Sequence, residues 1–254
     1  MRKRLQNIRD YLFAHDFASI HDLADRTGTS VATIRRDLSQ LEKMGFIERS
    51  HGGARLVGKQ KTEAAFSQRE TERLEQKRAI VQEAYRLIKP HTSCFFDSGT
   101  TLLQLAKAIS VNPMPISVFT NGLFISQTLM AVPDVETTML GGNVVPQNAA
   151  LSGPIAEAAL ERLMFDQLFL GAGAIGLDGV IYTRHLSEAN LHRKLLDRAP
   201  RCILLVDSSK FNNVSTHAVS HINSQFHVIT DRDLDNEVKQ RLLDSGARIT
   251  FAGR

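Results

Sequence analysis

Two sets of residues in this chain have the types and spacing to do chemistry. The first is cationic: TSVATIRRDL, Thr29 to Leu38, sets Arg35 and Arg36 side by side in a segment whose apolar residues are spaced for a helix. A guanidinium is a planar fork of donors that matches a phosphate or the O6 and N7 edge of guanine. The second is small and polar, and each member follows a short apolar run. Asp97-Ser98-Gly99-Thr100-Thr101 follows SCFF, Thr120-Asn121 follows ISVF, and Gly141-Gly142 follows TTML. Gly171-Ala172-Gly173 follows QLFL, and Asp207-Ser208-Ser209-Lys210 follows CILLV. A strand that runs through Asp-Ser-Gly-Thr-Thr into a helix aims backbone N–H groups, the helix dipole and hydroxyls at one spot, an anion site. Alone, that stretch is a weak signal and reads more readily as ordinary helix capping, and Lys210 has the alternative reading of a lysine closing a strand end. Five such ends on one sheet edge point to a pocket for a phosphate or a polyol.

The first set needs helices to carry it. RLQNIRDYLFAHDF has Leu5, Ile8, Leu12 and Phe13 on one predicted face, and SIHDLADRTG offers Ser19 as a cap, Leu23 and Ala24 as inward residues and Gly28 as a left-handed stop. Ser30 can cap a third helix, with Val31, Ile34, Leu38 and Leu41 on one side and Ala32, Thr33, Arg36, Ser39 and Lys43 on the other or its flank. Leu23, Ala24, Gly28 and Ile34 hold the relative positions of a helix-turn-helix, in which the start of the second helix enters the major groove. Ala32 then permits close approach, Thr33 reaches a phosphate or base edge, Arg36 reads guanine, and Arg35, nearer the packed side, clamps phosphate. FIERSHGGARLV alternates about Gly52-Gly53 as a hairpin wing would, with His51 and Arg55 at or beside its tip.

Charge agrees with this division. Of 254 residues, Met1 to Thr62 hold 12 Lys and Arg against 7 Asp and Glu, net +5, whereas the remainder is net −1. A clustered basic surface gains affinity for a polyanion by releasing counterions. Cys94 and Cys202 lie inside apolar runs and are expected as buried, reduced thiols; no CxxC spacing and no ligand spacing among His217, His221 and His227 suggests a metal. No apolar run nears the ~18 residues of a membrane span, and a cytoplasmic location is expected.

The expected organisation is a winged helix-turn-helix domain over 1–58, a polar linker over 59–73 and an α/β domain with a largely parallel sheet over 74–254. After a helix in EQKRAIVQEAYRLI, the strand candidates are SCFFD, PISVFT, VETTML, QLFLGA, RCILLVD, FHVIT and ARITFA. The helix candidates among them are TTLLQLAKAI, GLFISQTLM, PIAEAALERL, SEANLHRKLLDR and LDNEVKQRLLD.

TGTSVATIRRDLSQLEKMGFIERSHGGARL resembles the winged helix-turn-helix of the DeoR family of bacterial transcriptional regulators, and DSGTT, FTNG, LGG with LSGP, LFLGA and VDSSKF follow in that family's order. The resemblance implies a C-terminal sensor related in fold to ribose-5-phosphate isomerase, with a sugar phosphate as effector and no cofactor. By it, Ser98, Gly99, Thr100 and Thr101 hold the phosphate, and Asp97, Asn121, Gly142, Ser152, Glu188 and Lys210 line the pocket. YTRHLSEANLHRKLL departs from the family pattern at Arg184, His185 and His192, which leaves the sugar undefined. The expectation is a non-enzymatic, homo-oligomeric repressor of a carbohydrate operon, binding double-stranded operator DNA. The alternatives are a sugar-phosphate isomerase carrying a DNA-binding module, with Asp97, Glu188 and Asp207 as candidate bases, and a protein binding DNA without sequence preference.

Overall fold

The apolar spacing at the start of the chain builds three helices in the computed structural model, which describes residues 2–15, 17–50, 52–56 and 66–253. Two units emerge, Met1–Ala65 and Phe66–Arg254. In the first, α1 (Arg2–His15), α2 (Ile20–Thr27) and α3 (Val31–Lys43) pack around Ile8, Leu12, Leu23, Ile34, Leu38 and Leu41, all buried. Phe13, expected inward, is 69% exposed. It sits one residue past Leu12, about 100° round the helix, and Leu12 takes the inward place. Ser19 caps α2 in a reciprocal box with Asp22, and Gly28 ends that helix in the left-handed conformation at φ 62°. β1 (Phe17–Ser19), β2 (Ile47–Ser50) and β3 (Gly53–Leu56) form an antiparallel sheet in the order β1-β3-β2. A Cβ on Gly53 would lie 2.3 Å from the Ala18 carbonyl oxygen, so only glycine lets β1 and β3 approach as they do.

The second unit begins with α4 (residues 66–71) and α5 (Leu74–Leu87). Residues 66–73, expected as linker, are therefore folded. Phe66 is buried against the Phe124 ring, with centroids 5.0 Å apart, and buried Lys77 donates through Nζ to the Arg69 and Glu72 carbonyls at the end of α4. Residues 59–65 of the expected linker lie outside the described residues.

Seven strands then form one sheet: β4 (Ser93–Phe96), β5 (Ile116–Thr120), β6 (Val135–Met139), β9 (Gln167–Leu170), β12 (Cys202–Leu205), β14 (Phe226–Asp231) and β15 (Arg248–Ala252). Their order is β15-β14-β12-β9-β4-β5-β6, and every pairing is parallel. A parallel sheet is buried on both faces, so its strands read as continuous apolar runs. Cys94 and Phe96 point to one side, into a core with α5, α6 (Thr100–Val111) and α7 (Leu123–Leu129). Phe95 points to the other, into a core with α8 (Pro154–Leu160), α9 (Leu186–Leu196) and α10 (Asn236–Asp244). The result is an α/β/α sandwich. Each fully buried Phe of its centre contributes roughly 1.5–3 kcal/mol.

Shorter strands form two further sheets: β7 (Asn143–Val145) pairs with β8 (Ala150–Ser152), and β10 (Ala174–Ile175), β11 (Val180–Thr183) and β13 (His217–His221) form an antiparallel trio. Two 3-10 turns, Pro146–Asn148 and Ser208–Lys210, complete the loops.

Candidate functional site

In the first unit the candidate site is the outer face of α3. Ser30 caps the helix, its Oγ accepting from the Thr33 N–H at 3.3 Å. Ala32, Arg35, Arg36 and Lys43 are exposed, Thr33 and Ser39 are half-buried, and Arg55 on β3 is also half-buried. His51 lies outside the described residues. The turn of α3 that carries the arginines also carries Asp37, which is buried and receives the Arg4 guanidinium of α1 through Nε (2.5 Å) and Nη2 (3.1 Å). This fork ties the recognition helix to α1. The helical period did not reveal it, because its partner is 33 residues away.

In the second unit, strand order decides where a ligand goes. From β4 the chain moves outward through β5 and β6, then returns across β4 to build β9, β12, β14 and β15 on the other side. The crevice beyond the carboxyl ends of β4 and β9 is the switch point at which such sheets bind ligands. Asp97-Ser98-Gly99 leaves β4 there. Gly99 starts α6 with no side-chain cap, so the first-turn N–H groups are left for a guest. Gly122 and Gly171 hold the surrounding backbones close: a Cβ on Gly122 would sit 3.1 Å from Ser98 Cα, and one on Gly171 3.4 Å from Asp97 Oδ2.

Asp97 and His192 are both buried, and His192 Nε2 lies 3.1 Å from Asp97 Oδ1. Asp97 Oδ2 also accepts from the Gly171 N–H at 3.2 Å. Burial pushes the Asp97 carboxyl up, but the His192 charge and hydrogen bond and the Ser98 and Gly171 N–H groups outweigh it and hold it below the usual carboxylate range. Burial pushes His192 down, but the charge and hydrogen bond of Asp97 and the charge of Glu188 outweigh it and raise it. Asn121 Oδ1 and His192 Nδ1 are buried with no hydrogen-bond partner among the described residues.

A second group flanks this one. Asn121 Nδ2 donates to the Leu151 carbonyl (3.2 Å), Ser152 Oγ to Ser187 Oγ (3.1 Å), and Asn148 Nδ2 to Glu188 Oε1 (3.0 Å). Thr183 Oγ1 donates to Glu188 Oε2, and Arg69 donates to the Gln147 carbonyl at 2.6 Å and to Asn148 Oδ1 at 3.2 Å. Gly142, at φ 143°, lets the connection between β6 and β7 pass so near β8 that a Cβ would lie 2.6 Å from the Ser152 carbonyl oxygen. Lys210 stands apart on the loop after β12, in the field of buried Lys77. Among the described residues it makes no hydrogen bond or ion pair with the Asp97–Thr101 loop.

The residues that sequence reasoning missed are Arg69, Arg73, Lys77 and His192. Arg73, left-handed at φ 50°, spans the ends of β12 and β14: its Nε lies 3.3 Å from Asp207, and its Nη2 lies 3.2 Å from Asp233 and 2.9 Å from Ser208 Oγ. Arg69 and Arg73 fall in the stretch expected as a polar linker and Lys77 in the helix after it, and only the tertiary fold gives them partners. The carboxylates a hydrolytic or isomerising centre would need are thus engaged: Asp97 with His192 and two N–H groups, Glu188 with Asn148 and Thr183, Asp207 with Arg73 and the Ser209 N–H (3.1 Å). Burial lifts the Cys94 thiol to about 11 and Cys202 well above its ordinary value, which leaves both neutral. Among the described residues no group of His, Cys, Asp and Glu could hold a metal, and no helix is long and apolar enough to cross a membrane.

The model of the DeoR-like helix-turn-helix domain matches residues 4–60, and that of the DeoR C-terminal sensor domain matches residues 72–232. The chain belongs to the DeoR family. Its DeoR relatives include the HTH-type transcriptional regulator GlpR of Haloferax volcanii, 33% identical over 97% of this chain and 96% of its own length. They also include a putative aga operon transcriptional repressor of Escherichia coli O157:H7, 31% identical over 99% and 94%. The L-fucose operon activator of Haemophilus influenzae is 31% identical over 88% and 89%. Among solved structures, ribose 5-phosphate isomerase A from Neisseria gonorrhoeae aligns over 53% of this chain and 52% of its own at 12% identity and a TM-score of 0.39. As a DeoR-family protein with a winged helix-turn-helix and a sensor domain, the chain is a transcriptional regulator.

Proposed function

We propose that this regulator represses a carbohydrate operon and that its operator affinity falls when a phosphorylated sugar occupies the crevice beyond β4 and β9. The observation that carries the reading is the uncapped start of α6 at that crevice, beside buried Asn121 and His192 atoms that have no hydrogen-bond partner among the described residues. Ser98, Gly99, Thr100 and Thr101 cradle the phosphate, and Asp97, Asn121, Gly142, Ser152 and Glu188 meet the sugar. Lys210 reaches the guest from the β12 loop as a point charge. Ser30, Ala32, Thr33, Arg35, Arg36, Ser39 and Lys43 face DNA from α3, with His51 and Arg55 on the wing.

An effector shifts DNA binding only by its differential affinity for two conformations, typically ~1–3 kcal/mol. One helix-turn-helix reads few base pairs, so the protein works as a homo-oligomer on paired half-sites, in the cytoplasm where the DNA is. It is not an enzyme, because each candidate base is committed to a structural partner. The test is binding of the purified protein to DNA upstream of its own gene, against random DNA at fixed salt, with a panel of sugar phosphates and the free sugars. Release of operator by one phosphorylated sugar alone is the expected result. Turnover of that sugar phosphate by the protein would establish the isomerase instead.

A further inference from the structure

Asp97 and His192 meet where β4 and β9 part, 4% and 2% exposed, and the loop Ser98–Thr101 follows Asp97 directly. A bare carboxylate at that position would oppose any anion in the loop. At ~4 Å and an effective dielectric of ~20, the repulsion per unit charge is on the order of a thousandfold in affinity. Something must cancel it. His192 is the group in hydrogen-bond contact with Asp97 that can carry a positive charge, and the ring makes no other hydrogen bond among the described residues.

We propose that His192 is a specificity-determining residue of the effector site: its positive charge cancels Asp97, so that the loop Ser98–Thr101 accepts a dianionic group. This rests on the effector reading above. A consequence is that recognition depends on pH through a side chain of the protein itself. The groups acting on His192 are Asp97 from β4 and Glu188 one turn earlier on α9. Of the other elements against α9, α8 brings Glu157 and Glu161, both paired with Lys194. β13 brings His217 and His221, and β11 brings Tyr182, bonded to Asp178. The pair raises the imidazole above its ordinary value, so the charge is present below that raised value and lost as pH climbs through it. Anion affinity falls in the same direction.

The experiment titrates the full chain with sulfate, dianionic throughout, by calorimetry from about pH 6 to 9 at constant ionic strength. His192→Lys keeps the charge at every pH and His192→Gln removes it. Gly99→Asp marks the loop by placing a carboxylate where the added Cβ meets Leu102 at an ordinary 3.5 Å. Expected are a roughly 10- to 100-fold fall in sulfate affinity with rising pH in the unaltered protein, a flat profile in His192→Lys, and weak binding at every pH in His192→Gln. Matching pH profiles for the unaltered protein and His192→Lys would overturn the proposal, and this comparison decides even if His192→Gln fails to fold. Sulfate that ignores Gly99→Asp would instead remove the loop as an anion site, and the effector reading with it.

Discussion

Arg35 and Arg36 are neighbours in sequence and both exposed, yet the helix turns them about 100° apart, so they meet different parts of a DNA duplex. Replacing Arg36 with Ala is expected to cost about 1–3 kcal/mol and to relax preference at particular base pairs. Arg35→Ala should weaken operator and random DNA alike. Quantitative binding to a set of single-base operator variants separates the two, and equal losses on all sequences for both would refute a base-reading Arg36. In the second unit, Thr100→Ala should leave operator affinity unchanged and blunt release by the effector, read by the same assay with and without sugar phosphate. The arginines and the Asp-Ser-Gly-Thr-Thr run were legible because their chemistry is local: a helix face in one case, a strand-to-helix turn in the other. Asp37, Lys77 and His192 were not. Each owes its burial to a partner in another element, and a charged residue on a helix looks the same in sequence whether it faces water or Arg4.

At the scale of elements, all seven strands of the main sheet coincide with strand candidates in the sequence. Inner strands such as β9 and β12 are covered on both faces and cannot hide their composition, whereas the edge strands β6 and β15 are partly exposed. The strands that escaped notice, β1, β7, β8, β10, β11 and β13, are two to five residues long, and pairings such as Phe17 with Arg55 and Tyr182 with Ala218 join distant segments. Two predictions belong here. Gly53→Ala forces a methyl against the Ala18 carbonyl and should destabilise the first unit by about 1–3 kcal/mol, measured by its chemical unfolding. The Asp97–His192 pair fastens β4 to α9, and its two pKa shifts have opposite signs. The histidine's share of stability is full below its unfolded value and fades as pH rises through the raised one. The aspartate's share is full above its unfolded value and fades as pH falls through the lowered one. The α/β unit should therefore lose stability on both sides of a plateau, and His192→Lys should extend the plateau on the alkaline side in thermal melts across pH.

For the whole molecule, the net +5 of the first 62 residues against −1 in the rest puts the basic excess, which favours a polyanion, in one module. Sedimentation should show a dimer or tetramer, and footprinting should show protected half-sites a whole number of helical turns apart. A monomer giving a single short footprint would contradict that assembly. Strand order also sets a timetable during synthesis. The first unit is closed by Ala65, but β4 gains its neighbour β9 only when Cys94 meets Gln167, and the crevice lacks Lys210 until later still. Domains fold as the ribosome releases them, the N-terminal one first. A chain stalled or cut before β9 therefore carries the recognition helix without its pocket, and such a fragment would compete for the operator while deaf to the effector.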